Sequence, residues 1–213
     1  MYEMTRGEAT LKVVLPLRTL TLKGNGMLLE DDEKRELLKR ARAAIESELS
    51  GAPMAQIPNP SPHLLEPSGL FVTLRHNGEL CGCIGYVEPR LPLCRAAEEI
   101  AKKAAFEDPR FPPLTIDEAG DVDIEISVLS PLEEVRDIGA IELGKHGLVI
   151  EAGIRRGLLL PHVAVEYNWS REEFLGHVAQ KAGLPPESWR QRDNRMYMFT
   201  TNTFSESELY DLH

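Results

Sequence analysis

Two cysteines separated by one residue, Cys81-Gly82-Cys83, are the most reactive pairing in this 213-residue chain. A thiol can act as nucleophile, metal ligand or disulfide partner, and spacing helps decide which. On a regular strand the two Cα atoms stand ~6.6–6.8 Å apart, the upper limit of disulfide geometry, so an internal bridge is strained. A zinc site would need a second cysteine knuckle, which the chain lacks, so no metal is expected. A nucleophilic thiol needs a lowered pKa or a neighbouring base. The six histidines form no His-x3-His pair, and no Gly-rich phosphate loop or hydrolase elbow accompanies them. His146, between Lys145 and Gly147 at a strand entrance, is the histidine expected to line a cleft. Cys83 and His146 are therefore the candidate catalytic pair, with His162 as another possible base. The plain alternative is that Cys83 packs as a small hydrophobe. Arg155-Arg156, with Arg190, Arg192 and Arg195, are either solvated surface or an anion site, because guanidinium groups fork onto carboxylate and phosphate.

The elements that must position these groups read clearly in the middle of the chain. Leu37, Leu38, Ala41, Ala44, Ile45 and Leu49 repeat at helical spacing behind Asp31-Asp32-Glu33 and ahead of Gly51, predicting a helix over 32–49. Five prolines over 52–69 predict an extended arm without helix. Asn77-Gly78 supplies the positive φ angles of a two-residue hairpin turn between strands 70–75 and 80–86. Counting back from that turn opposes Val72 to Cys83 and Leu74 to Cys81, with both cysteines on one face. Both faces of the hairpin are largely apolar, which predicts a central, doubly covered strand. A second helix opens at Pro92 and stops before the rigid segment 108–114. A strand over 122–129, a hairpin over 147–160, a helix over 172–182 and a last strand over 196–203 follow, with an edge strand within 11–23. Helices and strands mix without a regular βαβ rhythm, so the fold class is α+β.

Composition narrows the function. Lys and Arg number 24 against 34 Asp and Glu, a net charge of −10 that argues against bulk nucleic-acid binding. No apolar run approaches the ~20 residues of a membrane-spanning helix. Three cysteines, an odd and sparse set, suit a reducing, cytoplasmic setting. No motif calls for a cofactor, and none is expected.

Five blocks in order resemble the AMMECR family, named for the human chromosomal region of Alport syndrome, midface hypoplasia and elliptocytosis. Leu80-Cys81-Gly82-Cys83-Ile84-Gly85 resembles its Leu-Arg-Gly-Cys-Ile-Gly signature. Ala105 to Leu114 resembles its Ala-Phe-x-Asp-Pro-Arg-Phe-x-Pro-Leu block, and Ser127 to Pro131 its Ser-Val-Leu-Ser-Pro. Gly144 to Leu148 and Leu160 to Ala164 resemble its Gly-x-His-Gly and Leu-Pro-Gln-Val-Ala blocks, with Trp169, Lys181 to Leu184 and Trp189 following. Cys81 stands where the signature has arginine and His162 where the family has glutamine.

The resemblance implies two unequal lobes, mainly antiparallel sheet flanked by helices, with the signature near a cleft between them. It implies one domain over 30–205, an N-terminal extension over 1–29 and a tail over 206–213. In that cleft Gly82 and Gly85 would leave room for a ligand. Asp108 and Arg110 would orient it, and Arg155, His162, Glu166 and Trp169 would complete the binding set. The resemblance implies no established reaction. It does associate the family with Memo-type proteins of the extradiol-dioxygenase fold and with radical-SAM proteins. Two functions stay open: a cysteine-dependent enzyme or enzyme partner in a modification pathway, and a binding module or regulatory factor recognising a protein or nucleic acid.

Overall fold

The computed structural model describes residues 29–55, 57 and 60–210, so the strand expected within 11–23 lies outside the described residues. The first elements are α1 (Asp31–Ser50), β1 (Leu70–His76), β2 (Glu79–Tyr86), α2 (Leu93–Phe106), β3 (Val122–Leu129) and β4 (Glu133–Glu134). After them come β5 (Gly147–Ala152), β6 (Arg155–Leu159), α3 (Pro161–Glu166), α4 (Arg171–Lys181), β7 (Arg195–Phe199), β8 (Thr201–Ser205) and α5 (Glu206–Leu209). The strands form two four-stranded sheets, ordered β2-β1-β3-β8 and β4-β7-β5-β6. Helices plus two sheets, antiparallel at β1–β2, β1–β3 and β5–β6–β7, make the α+β class that the sequence predicts. The described chain divides into two compact units, one of residues 29–128 with 203–210 and one of residues 129–202.

The first unit is built as layers. α1 begins with a capping box between Glu30 and Glu33 and ends at Gly51 with φ 65°, the left-handed conformation that glycine adopts without strain. Its buried stripe, Leu37, Leu38, Ala41, Ala44 and Ile45, matches the predicted face. α1 meets α2, where Arg40 and Glu98 pair at 2.9 Å with both side chains nearly buried. α2 covers the sheet face carrying Val72, Leu74, Ile84, Ile124 and Ile126, all buried. Burying a side chain of this size stabilises by about 1.5–3 kcal/mol, so this face dominates the unit's cohesion.

Three expectations change here. β1, not β2, is central, and β2 is an edge strand. The hairpin register also slips. His76 pairs with Glu79 and Arg75 with Leu80, but Leu74 pairs with Gly82, Thr73 with Cys83 and Val72 with Ile84. Cys81 is the extra residue of a β-bulge, and one extra residue moves everything beyond it to the other face. Within the proline arm, Pro62–Leu65 forms a single 3-10 turn, which a proline in first position permits.

The second unit has its own core. Ile141, Leu148, Ile150, Leu159 and Met196 of the sheet and its approaches pack with Phe174, Leu175, Val178 and Ala179 of α4. α4 starts at a capping box in which Ser170 and Glu173 satisfy each other's backbone amides. The single last strand expected over 196–203 is two strands in different sheets. The chain changes sheet at Thr200, whose N–H donates to Ser130 Oγ and whose carbonyl accepts from Ser130 N, both at 2.9 Å. Residues 206–209, read from sequence as tail, form α5. The buried Glu206 of α5 accepts two hydrogen bonds from Arg42 of α1.

Candidate functional site

Cys83 occupies an edge strand whose outward-facing backbone is satisfied by side chains. Its N–H donates to Asp108 Oδ2 at 2.9 Å and its carbonyl accepts from Arg110 Nη2 at 2.9 Å. Asp108 in turn accepts from Arg110 Nε at 2.9 Å, Nη2 at 2.6 Å and the Arg110 amide at 3.1 Å. One carboxylate and one guanidinium thus stand in for the donor and acceptor of a missing neighbouring strand, which is one way to protect an edge. Burial opposes the charge on Asp108, but Arg110 and the two amides outweigh it and hold the carboxyl below its ordinary range. Arg110 leans over the Phe111 ring at 5.0 Å, and its Nη1 is buried without a hydrogen-bond partner.

Cys83 is 5% exposed, and its Sγ accepts from Thr73 Oγ1 at 3.4 Å. Burial pushes the Cys83 thiol up, and the Asp108 and Glu125 charges add to this, against the lowering effects of Thr73 and Arg110. Thr73 pairs with Cys83 on one side and Glu125 on the other, so thiol, hydroxyl and carboxyl form one row across β2, β1 and β3. Burial pushes the Glu125 carboxyl up, with Arg75 opposing and Glu208 and Asp123 reinforcing. Ser127, two residues further on the same face, shares a 2.9 Å hydroxyl contact with Thr203.

The glycines around Cys83 are explained by packing. A Cβ on Gly82 would lie 2.2 Å from the Ala104 carbonyl oxygen of α2, and one on Gly85 would lie 2.0 Å from the Phe71 ring. Cys83, Asp108 and Arg110 are in hydrogen-bond contact, and the room for a ligand expected at Gly82 and Gly85 is instead filled from within the unit.

Cys81 looks the other way. It lines a pocket of about 60 Å³ with Leu74, His76, Phe111, Pro112, Leu114 and Glu118. The two cysteines consequently lie on opposite faces of the hairpin, a correction that follows from the bulge. Among the described residues no group of three or more His, Cys, Asp or Glu is arranged to hold a metal ion.

The remaining predicted residues lie in the second unit. His146 is half-buried, and its Nδ1 accepts from the Glu142 amide at 3.0 Å. Arg155, at the start of β6, donates to the Gly183 carbonyl at 3.0 Å. His162 and Glu166 are exposed on α3. Trp169 stacks with Tyr167, centroids 5.0 Å apart, and with His177, centroids 3.8 Å apart, both rings near parallel to it. Cys83 and His146 belong to different units.

Sequence reasoning missed Thr73, Glu125 and His177. The signal for the first two was Gly82, since an isolated glycine inside a strand pattern suggests a bulge, and the bulge sets who faces Cys83. His177 gave no sequence signal, because its stacking partners lie across a turn.

The AMMECR1 family model matches residues 38–204, from the middle of α1 to β8. This chain belongs to the AMMECR1 family. A family protein of Methanothermobacter thermautotrophicus is 45% identical over 185 residues, covering 84% of this chain and 96% of that protein. One of Pyrococcus furiosus is 42% identical over 189 residues, covering 84% and 90%. The crystal structure of an uncharacterized protein from Pyrococcus horikoshii superposes with a TM-score of 0.79 at 37% identity, covering 85% of this chain and 95% of that one. The AMMECR1 span takes in both the braced edge at Cys83 and the stack at Trp169. Among the described residues, no helix is long and apolar enough to cross a membrane.

Proposed function

We propose that this AMMECR1-family chain acts as a binding module, with the polar row Cys83–Thr73–Glu125 as its recognition face. The observation that carries this reading is the state of Cys83. Its sulfur is buried, its acidity is suppressed by burial and by two carboxylates, and both backbone groups are held by Asp108 and Arg110. A nucleophilic thiol is activated in the opposite way, by exposure, a base or positive surroundings. Thr73 and Ser127 are buried beneath this face, and the half-buried Glu125, whose carboxyl burial pushes up, together with the exposed Thr203 are the hydrogen-bonding groups it offers a partner. The Memo-type and radical-SAM proteins implied by the resemblance are the partners this module would serve.

The test is the reactivity of Cys83 toward iodoacetamide at pH 7, in the native chain and in urea. The binding reading expects native Cys83 to react at least ~100-fold more slowly, the protection given by about 2.7 kcal/mol of local opening. Faster reaction in the native state would overturn it.

One observation favours a second reading, a cysteine-dependent enzyme. Arg110 lowers the Cys83 thiol, and its buried Nη1 has no partner of its own. That reading expects Cys83→Ser to abolish turnover while leaving partner binding intact. The binding reading expects Glu125→Gln and Cys83→Ser each to weaken partner binding.

A further inference from the structure

An open groove of about 620 Å³ lies in the first unit, between the last turns of α1, the turn 115–121 and α5. That volume falls within the roughly 300–1,000 Å³ of pockets that enclose a sizeable ligand, so it has room for several aliphatic side chains. Leu49, Ile116 and Ala119 supply its apolar lining. Leu49 belongs to the apolar stripe expected of α1 but is only half-buried, and Ile116 is 66% exposed. The charge around the groove has one sign. The guanidinium of Arg42 is fully engaged, donating to Glu206 and to the carbonyls of Ala119 and Val122. Glu46 on the rim is exposed, as are Asp117 and Asp121, which flank Ile116 and Gly120 in the chain. None of these three carboxylates meets a cation among the described residues, whereas the nearby Glu48 pairs with Lys102 at 3.6 Å. The last turn of α1 holds no basic residue, although the carbonyl end of a helix attracts positive charge. An apolar groove with an anionic rim calls for an occupant that is apolar and cationic.

We propose that this groove is the docking site of residues 11–18 of the same chain. Five of those eight residues are Leu or Val, and Lys12 and Arg18 are cationic. From Ala9 to Leu29 the sequence holds Lys12, Arg18 and Lys23 and no Asp or Glu, a local charge of +3 in a chain of −10. The segment thus has both properties that the groove calls for: apolar surface to bury and the charge that the rim attracts. Pro16 has no N–H to give to a strand ladder, so the segment binds through its side chains. The tether is long enough. Glu46 lies 16 residues beyond Glu30, about 24 Å along α1 at ~1.5 Å per residue. The 12 residues from Arg18 to Glu30 reach about 40 Å when extended. A tether of that kind holds the segment at an effective concentration on the order of millimolar, far above a second copy in dilute solution. Docked, its Leu and Val side chains cover Leu49 and Ile116, and its two cations face the carboxylates of the rim. The segment then lies as a strap across the Arg42–Glu206 pair that joins α1 to α5.

The experiment treats the full chain, in dilute solution, with a carbodiimide, which joins an amine to a carboxylate only where the two touch. Peptide mapping identifies the links. An equal mixture of nitrogen-15-labelled and unlabelled chains separates links within one chain from links between two. The expected main product of Lys12 is a link to Glu46, Asp117 or Asp121 within one chain. Ile116→Ser, at an exposed position where the fold does not depend on the side chain, should lower the yield of that link about tenfold, the effect of losing one buried aliphatic contact. Links of mixed isotope would assign the groove to a second copy and overturn the proposal. So would a Lys12 that joins mainly carboxylates outside the groove, a Lys12 that joins none, or a yield indifferent to Ile116→Ser.

Discussion

The two faces of one hairpin treat two cysteines in contrasting ways. Cys83 faces Thr73 in a row of polar groups, with its backbone clamped by Asp108 and Arg110. Cys81, two residues earlier, lies on the bulge and borders an apolar pocket instead. Neither sequence spacing nor residue type separates them; a single extra residue in β2 does. The contrast teaches that in an edge strand the partner of each backbone group, more than the side chain's identity, decides how strongly a position is held.

The sharpest way to break this contrast is to remove the clamp. Asp108→Ala should cost about 3–5 kcal/mol in urea unfolding, because it leaves Arg110 and the Cys83 amide without their buried acceptor. A loss under about 1 kcal/mol would mean that the edge is held by something else. Next in size, Gly82→Ala and Gly85→Ala should each cost about 1–3 kcal/mol through overpacking. Gly82→Ala should be the worse, since its obstacle is the backbone of α2, whereas Gly85 meets the Phe71 ring.

The cysteines themselves should differ less. Cys83→Ala should cost about 1 kcal/mol for lost buried contact, and Cys81→Ala less than about 0.5 kcal/mol, both by thermal unfolding. Equal costs would erase the distinction between the faces. The smallest effects are in pH dependence. Asp108 titrates below its ordinary value in the folded chain, so its contribution is present above about pH 4 and is lost as pH falls through the lowered value. Cys83 titrates above its ordinary value, so its contribution is complete below about pH 8.5 and is lost as pH rises beyond that. Asp108→Asn should flatten only the acid limb of a stability profile, and Cys83→Ala only the alkaline limb.

Much of this was legible in the residues. The apolar stripe of α1, the Asn77-Gly78 turn with φ of 51° and 81°, and the alternation in β3 each express a local rule, and each stands where the rule puts it. The family blocks marked Cys83, Asp108 and Arg110, and these three do meet. What was not legible is non-local or one residue wide. The turn fixes the register only as far as Leu80, and Gly82 signals a bulge without telling that Cys81 is the residue skipped. The edge position of β2 was hidden because the clamp lets an edge strand be as apolar as a central one. The change of sheet at Thr200 depends on Ser130, 70 residues away in the chain. The stack of Trp169 on His177 depends likewise on how α4 folds back.

The division of the first unit's described residues into two chain segments has a consequence for birth at the ribosome. Arg42 of α1 waits for Glu206, 164 residues later, before its guanidinium finds its carboxylate. At about 5–20 residues per second, synthesis keeps that partner away for roughly ten to thirty seconds. Throughout that interval β3 lacks its neighbour β8 and presents an open edge, the kind of surface on which nascent chains join one another. Among the described residues the second unit is, by contrast, one unbroken run, 129–202. Those residues are made without a gap, and the longer exposure to aggregation belongs to the unit whose described segments are separated in the chain.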